Sequence, residues 1–425
     1  MSSMNNERPT RYEYIYEQAF CLTLCLLPVM SVLVPRLAGV AAAVAGLVLF
    51  ALFRLVYGRS PPIAKAAMIW IVALVGLAGI SSLWALDPSA AIKDTTRVAL
   101  VLLPGGLLIG LCATVSTRIH QRLCRLFPLF YIAGTVLLVI EVYCGMPLYR
   151  LIHHVPAETY LHPDDDNRSI IFCTLLYIPA VGLTSSLSGQ HQTSRWIVTG
   201  AFSLALLLVL FKTESQSAQL AWFLAALFAV AFPYRLRTAW YALSGVIVAA
   251  ILGAPWLAMV MFRTLSAVVN KLPFLGEHNG YGAERLEIWD FVARYSLHRP
   301  FYGFGIEATR AVGAFDTKQI YQKGVTVLHP HNFAIQLWME FGAIGALLAA
   351  GMVAHLLWFV LNRMTPAQQR IALPSFMACL SVSAMTYGIW QGWWLGLLVL
   401  VTALTRVAPL TPKAKQPQEA ENGFR

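Results

Sequence analysis

Apolar runs of about 17 to 25 residues recur along the whole chain, separated by short polar turns. Each is long enough to cross a bilayer core of about 30 Å as a helix. The pattern predicts twelve spans, near 15–34, 37–56, 66–85, 98–115, 126–146, 169–187, 196–211, 218–233, 238–262, 332–361, 372–388 and 390–407. The expected fold class is an all-α polytopic membrane protein, with about twelve transmembrane helices and a long, partly helical periplasmic loop. The organisation that follows is a cytoplasmic N-terminus over 1–14 and spans one to nine over 15–262. A periplasmic loop with an amphipathic helix covers 263–331, and spans ten to twelve cover 332–407. The tail over 408–425, rich in Pro, Lys and Gln, is expected to be disordered and cytoplasmic.

Two connections stand out by length. The stretch 147–167 is polar and contains His153, His154, His162 and the run Asp164-Asp165-Asp166. The stretch 263–329 places Leu286, Trp289, Val292 and Leu297 at helical spacing, which predicts an amphipathic helix over 283–297. His298-Arg299-Pro300 ends that helix, and Phe301-Tyr302-Gly303-Phe304-Gly305 reads as a flexible aromatic turn.

Composition agrees with the pattern: 58% of the 425 residues are hydrophobic and 12% charged, against roughly a quarter charged in soluble domains. The net charge of +11 does not point to nucleic acid, because Lys and Arg sit mainly in short turns between spans. With the N-terminus inside, 17 of them fall on the cytoplasmic side. Six fall in the short outer loops: Arg36, Lys93, Arg97, Arg150, Arg168 and Lys212. That bias orients the bundle, and twelve spans put both termini in the cytoplasm. The polar first 16 residues do not resemble a cleavable leader, so the first span is expected to act as an uncleaved signal-anchor. Seven scattered cysteines form no CxxC or Cys/His spacing and read as small apolar filler.

Four polar features could carry chemistry, and all fall on the outer face. His329-Pro330-His331-Asn332 directly precedes the tenth span. Pro330 suits a first helical turn, which would put His331 and Asn332 beside unpaired N–H groups, where an imidazole stays neutral and can accept a proton. Alternatively His331 only caps the helix. Arg285 lies on the amphipathic helix, and Arg168 follows the acidic run at the mouth of the sixth span. Taken singly, either guanidinium could simply snorkel to lipid phosphate. Lys212 opens the polar turn Lys212-Thr213-Glu214-Ser215-Gln216-Ser217, which could equally be a plain hairpin. Together, Arg168, Lys212, Arg285 and His331 suit a lipid diphosphate: the cations bind the phosphates, and the imidazole takes a proton from an attacking hydroxyl. No GxGxxG or GxxxxGK[ST] is present, and neither metal nor other cofactor is expected, since three consecutive carboxylates do not all point one way.

Four segments share an order and spacing that resembles the O-antigen ligase superfamily. They are Arg285-Leu286-Glu287-Ile288-Trp289, the turn His298-Arg299-Pro300-Phe301-Tyr302-Gly303-Phe304-Gly305, His329-Pro330-His331-Asn332 and Glu340-Phe341-Gly342-Ala343-Ile344-Gly345. The resemblance implies transfer of a glycan from undecaprenyl diphosphate to a sugar hydroxyl of lipid A-core at the periplasmic face of the bacterial inner membrane. It implies inversion by direct, metal-independent displacement. By that likeness His331 activates the acceptor hydroxyl, Arg168 and Arg285 bind the diphosphate, and Asn332 and His329 support them. Many relatives carry Thr-x-Ser-Arg where this chain has Thr213-Glu214-Ser215-Gln216, so the role of that Arg either falls to neighbouring Lys212 or is absent. An O-antigen polymerase and a protein O-oligosaccharyltransferase of the same superfamily are the alternatives. From another class comes a lipid-glycan transporter, which would place ionisable residues near the bilayer midplane.

Overall fold

Prolines and short polar side chains set where the helices begin. Pro35, Pro88, Pro147 and Pro366 each stand in a first helical turn, where a missing N–H costs nothing. The Asp87 carboxylate accepts from the N–H groups of Ser89 and Ala90, both at 3.0 Å. Thr10 with Glu13, and Thr365 with Gln368, form reciprocal capping boxes.

The computed structural model describes residues 10–161, 166–187, 192–213, 215–269, 281–312 and 328–408. These residues form α1 (Arg11–Leu33), α2 (Pro35–Tyr57), α3 (Lys65–Ser81), α4 (Pro88–Leu111), α5 (Thr117–Tyr143), α6 (Pro147–His153), α7 (Asn167–Ser185) and α8 (Gln192–Lys212). They continue with α9 (Gln216–Ala231), α10 (Arg237–Leu252), α11 (Ala254–Val269), α12 (Tyr281–Ser296), α13 (Ala308–Ala311), α14 (Phe333–Arg363), α15 (Pro366–Met385) and α16 (Gly392–Val407). No strand occurs among the described residues. The expected disordered tail, apart from Ala408, lies outside them, as do His162, Asp164, Asp165 and Glu214.

Among the described residues, seven helices are long and apolar enough to cross a membrane, or eight if α10 and α11 together make one bent span. The chain is therefore an all-helical, multi-pass membrane protein. The ninth expected span, 238–262, is not one straight helix. It divides at Gly253 into α10 and α11, bent by 80°. The cause is local: Gly253 ends α10, and Pro255 has no N–H to continue the ladder. α11 then packs along α12, not down the bundle. The polar 147–167 stretch also holds a helix the periodicity did not reveal, α6. The carboxylate of Glu141 caps it by accepting from the N–H groups of Leu148 and Tyr149, at 2.7 and 2.9 Å.

Contacts gather the turns at two ends. At one, Ser215 donates to Asn167 at the start of α7 (2.6 Å), Leu86 N–H donates to the Phe304 carbonyl (3.1 Å), and Arg168 lies over Trp393. At the other, Arg118 and Arg122 reach Glu17, Arg237 donates to Asn362, and Ser186 donates to the Ala408 carbonyl.

The aromatic turn at 301–305, expected to be flexible, is clamped onto a break in α14. Gly342 interrupts that helix with φ 60° and ψ −147°, a region essentially closed to residues with a side chain. The break frees backbone groups for the turn: Ala343 N–H donates to Pro300 O (2.7 Å), Gly305 N–H to Glu340 O (2.8 Å), and Phe304 N–H to Met339 O (3.0 Å). Gly303, also at positive φ, presses its backbone on that of Glu340 so closely that an added Cβ would sit 2.4 Å from the Glu340 carbonyl carbon. Two glycine motifs far apart in sequence are thus the two halves of one backbone joint. Gly342→Ala is expected to destabilise the purified protein by more than about 1 kcal/mol, seen as a lowered melting midpoint in tryptophan fluorescence. Gly200→Ala, on an open face of α8, should leave the midpoint unchanged or slightly raised.

Candidate active site

His331 lies just outside a helix, and its backbone departs from expectation. Pro330 does not open the helix: α14 starts at Phe333, and Asn332 is its N-cap, accepting from Ala334 N–H (3.0 Å) and Ile335 N–H (3.2 Å). Asn is among the best residues for that task, because its side-chain oxygen satisfies donors the helix leaves unpaired. His331 therefore sits one residue before the cap, in the left-handed region at φ 56°. Trp289 of α12 holds the segment there by donating its indole N–H to the Pro330 carbonyl at 2.8 Å. Leu286, Trp289 and Val292, the expected apolar face of the amphipathic helix, are all buried.

The His331 ring is oriented by a backbone carbonyl. Its Nδ1 lies 2.6 Å from the Thr386 oxygen. A carbonyl can only accept, so Nδ1 carries the proton and Nε2 of the neutral ring is left as an acceptor. Burial depresses the imidazole pKa; the Thr386 bond works against this, and the charge of Arg285 adds to the depression. The neutral form expected from the helix dipole is thus favoured chiefly by desolvation and by a nearby guanidinium.

A connected set of side chains leads from His331 to Arg168. The His329 and His331 rings are 4.2 Å apart, edge to face. Trp393 donates its indole N–H to Gln391 Oε1 at 2.7 Å, so the Gln391 amide must turn its NH2 toward His329 Nε2, 3.5 Å away. The Arg168 guanidinium lies over the Trp393 ring, 5.8 Å from its centre. The starts of α7, α14 and α16, and half-buried Arg285 on α12, therefore converge on one region. His329 is half-buried against this set. Burial, then His331 and Arg310, push its pKa down to about 3, so this ring too is neutral.

Sequence reading missed several of these residues. Gln391 and Trp393 lie in Tyr387-Gly388-Ile389-Trp390-Gln391-Gly392-Trp393-Trp394, where a lone amide among aromatics was the available signal. Arg310 was missed as well. Glu307, buried and at φ 59°, accepts from its Nε at 2.8 Å and lies 3.4 Å from Arg97. Lys212 stands apart: its ammonium is over the Tyr143 ring at 5.9 Å, and none of its described contacts joins the Arg168 to His331 set.

Two spaces adjoin the set. An apolar groove of about 250 Å³ runs between the α10–α11 bend and the start of α14, lined by Ile251, Ala258, Trp289, Asn332 and Ile335 among others. On the other side, Arg168 forms part of the wall of a cavity of about 200 Å³. Of the acidic run, Asp166 is buried, accepts from Ser169 Oγ, and is pushed up to about 7 by burial. Among the described residues no three His, Cys, Asp or Glu side chains gather as a metal-binding group.

Residues 201–350, which carry Arg285, the glycine joint and His331, match the family model described as O-antigen ligase. The match covers 150 of the 425 residues, so it is this segment that is similar to the O-antigen ligase family. Two similar proteins bear the name "Putative polysaccharide ligase". One from Rickettsia conorii is 32% identical over 133 residues, covering 30% of this chain and 32% of its own length. One from Rickettsia prowazekii is 30% identical over 133 residues, covering 30% and 33%. The chain thus spans about a third of the length of these curated relatives. Within the O-antigen ligase match, both glycine halves of the backbone joint and the His331 segment lie on α12, α14 and the turn between them.

Proposed function

We propose that this protein is a membrane glycosyltransferase of the O-antigen ligase type. In this reading it moves a glycan from undecaprenyl diphosphate to a sugar hydroxyl of lipid A-core at the periplasmic face of the inner membrane. The observation that carries the reading is the placement of His331, with Nε2 as acceptor, beside Arg285 and next to an apolar groove. The groove offers a dry seat for polyprenyl chain, and the guanidinium offers a bidentate partner for diphosphate.

In this mechanism His331 Nε2 takes the proton of the acceptor hydroxyl, and the hydroxyl oxygen attacks the anomeric carbon. The bond from that carbon to the diphosphate oxygen breaks, and its electron pair leaves with undecaprenyl diphosphate. Arg285 and Arg168 stabilise the charge that grows on the leaving group, the work a metal ion does elsewhere. One direct displacement inverts the anomeric centre. Two intramembrane carboxylates that would suit a transporter are engaged in holding the fold: Glu141 caps α6, and Glu340 accepts from Gln336 (2.9 Å) and Trp390 (2.5 Å).

Purified protein given a glycan on undecaprenyl diphosphate, and a choice of lipid A-core or a second lipid-linked glycan, should modify lipid A-core and should do so in EDTA. Preference for the lipid-linked glycan would make it a polymerase. Loss in EDTA with recovery on adding magnesium would overturn the metal-independent step. The pH profile supplies a further check. A base must be unprotonated, and the His331 pKa is depressed. The acid limb of kcat/KM should therefore fall below pH ~6.5, the ordinary imidazole value. An acid limb above that value would contradict the burial argument.

A further inference from the structure

The cavity beside Arg168 is built by three elements, and the catalytic reading uses Arg168 alone among the side chains they supply. The turn between α1 and α2 supplies Arg36, α6 supplies Tyr149 and His153, and the start of α7 supplies Asp166 and Arg168. Arg36 has no hydrogen-bond or ion-pair partner among the described residues, and Arg168 Nε is buried without one. His153 stacks on Tyr149 with ring centres 4.2 Å apart, and its Nδ1 lies 3.1 Å from the Tyr149 carbonyl, which leaves Nε2 for a ligand. Among the described residues the one carboxylate in the wall, Asp166, is turned to Ser169, and burial pushes it up to about 7, so it is partly protonated near pH 7. Among the described residues, two guanidiniums and an imidazole therefore face a space whose single carboxylate is partly protonated.

We propose that this cavity is a phosphate seat, with Arg36 as its second guanidinium and His153 as an additional hydrogen-bonding group. It deepens the glycosyltransferase reading and rests on it for the identity of the ligand. A phosphate group can arrive from two sources, the diphosphate of the donor or a phosphate carried by the acceptor. Arg168, whose guanidinium also covers Trp393, connects the seat to the His329 and His331 pair.

Arg36→Ala, Arg36→Lys and His153→Ala in the full-length purified protein test this. Calorimetry with inorganic diphosphate reads the seat without turnover: Arg36→Ala should weaken binding about tenfold, the lower range for a hydrogen bond to a charged group. Arg36→Lys should lose less, and His153→Ala should weaken binding more mildly. In transfer assays, a matching rise in the KM for donor assigns the seat to the donor diphosphate. A rise in the KM for lipid A-core that vanishes with dephosphorylated lipid A-core assigns it to the acceptor. Unchanged diphosphate binding in Arg36→Ala overturns the proposal and leaves Arg36 a lipid-facing anchor. Diphosphate binding that depends on Arg36, in a wild-type protein that transfers no glycan, would keep the seat and defeat the glycosyltransferase reading instead.

Discussion

Replacing His331 by alanine should lower glycan transfer at least ~100-fold, the usual size of a general-base contribution, while donor binding stays near the wild-type level. The residue stands at φ 56°, so an alanine there is strained as well as chemically silent. His331→Asn separates the two effects. Asn tolerates the left-handed backbone, and its amide can still donate to the Thr386 carbonyl in place of Nδ1, but it offers nothing at the position of Nε2. It should fold as well as wild type and be nearly as inactive as the alanine variant. Residual activity in both should rise with pH, because deprotonation of the hydroxyl is left to solvent. His329→Ala should be milder. Retained turnover with lost donor affinity in His331→Asn would make His331 a phosphate ligand and move the base elsewhere.

The second large effect concerns the guanidiniums. Arg285→Ala and Arg168→Ala should each reduce transfer by about 100- to 1,000-fold, the loss seen when one fixed donor to a developing negative charge is removed. Lysine should rescue only in part, since a point charge does not replace a planar fork. Steady-state kinetics with the inserted, purified variants decides it. Full activity in both alanine variants would leave them as structural arginines. Lys212→Ala is a useful contrast: with its ammonium on Tyr143 it should cost little.

The all-helical membrane fold was legible because an apolar run of spanning length can satisfy its backbone in lipid by coiling into a helix, with no partner segment needed. The Trp289 face of α12 was legible because its spacing is helical. The bend at Gly253 was signalled by Gly253-Ala254-Pro255, yet unbroken hydrophobicity on both sides hid it. His331 and Arg285 could be named from their motif, but the reason the ring is neutral could not. It lies in burial and in the Thr386 carbonyl, 55 residues away in the chain. The same distance problem hid Gln391 and Trp393, whose role appears only when α16 is set against α7. The glycine turn was misjudged for a different reason. Glycines signal permitted backbone freedom, but here that freedom is used to bring Gly303 and Gly342 into a fixed joint.

The most direct test of the central claim is stoichiometry in a reconstituted vesicle. Protein, undecaprenyl diphosphate-linked glycan and lipid A-core are combined, and free undecaprenyl diphosphate and glycosylated acceptor are counted together over time. The account predicts one intact undecaprenyl diphosphate released for each acceptor glycosylated, with both signals lost in His331→Asn. Glycan crossing the bilayer still attached to its carrier, with no diphosphate released, would contradict it.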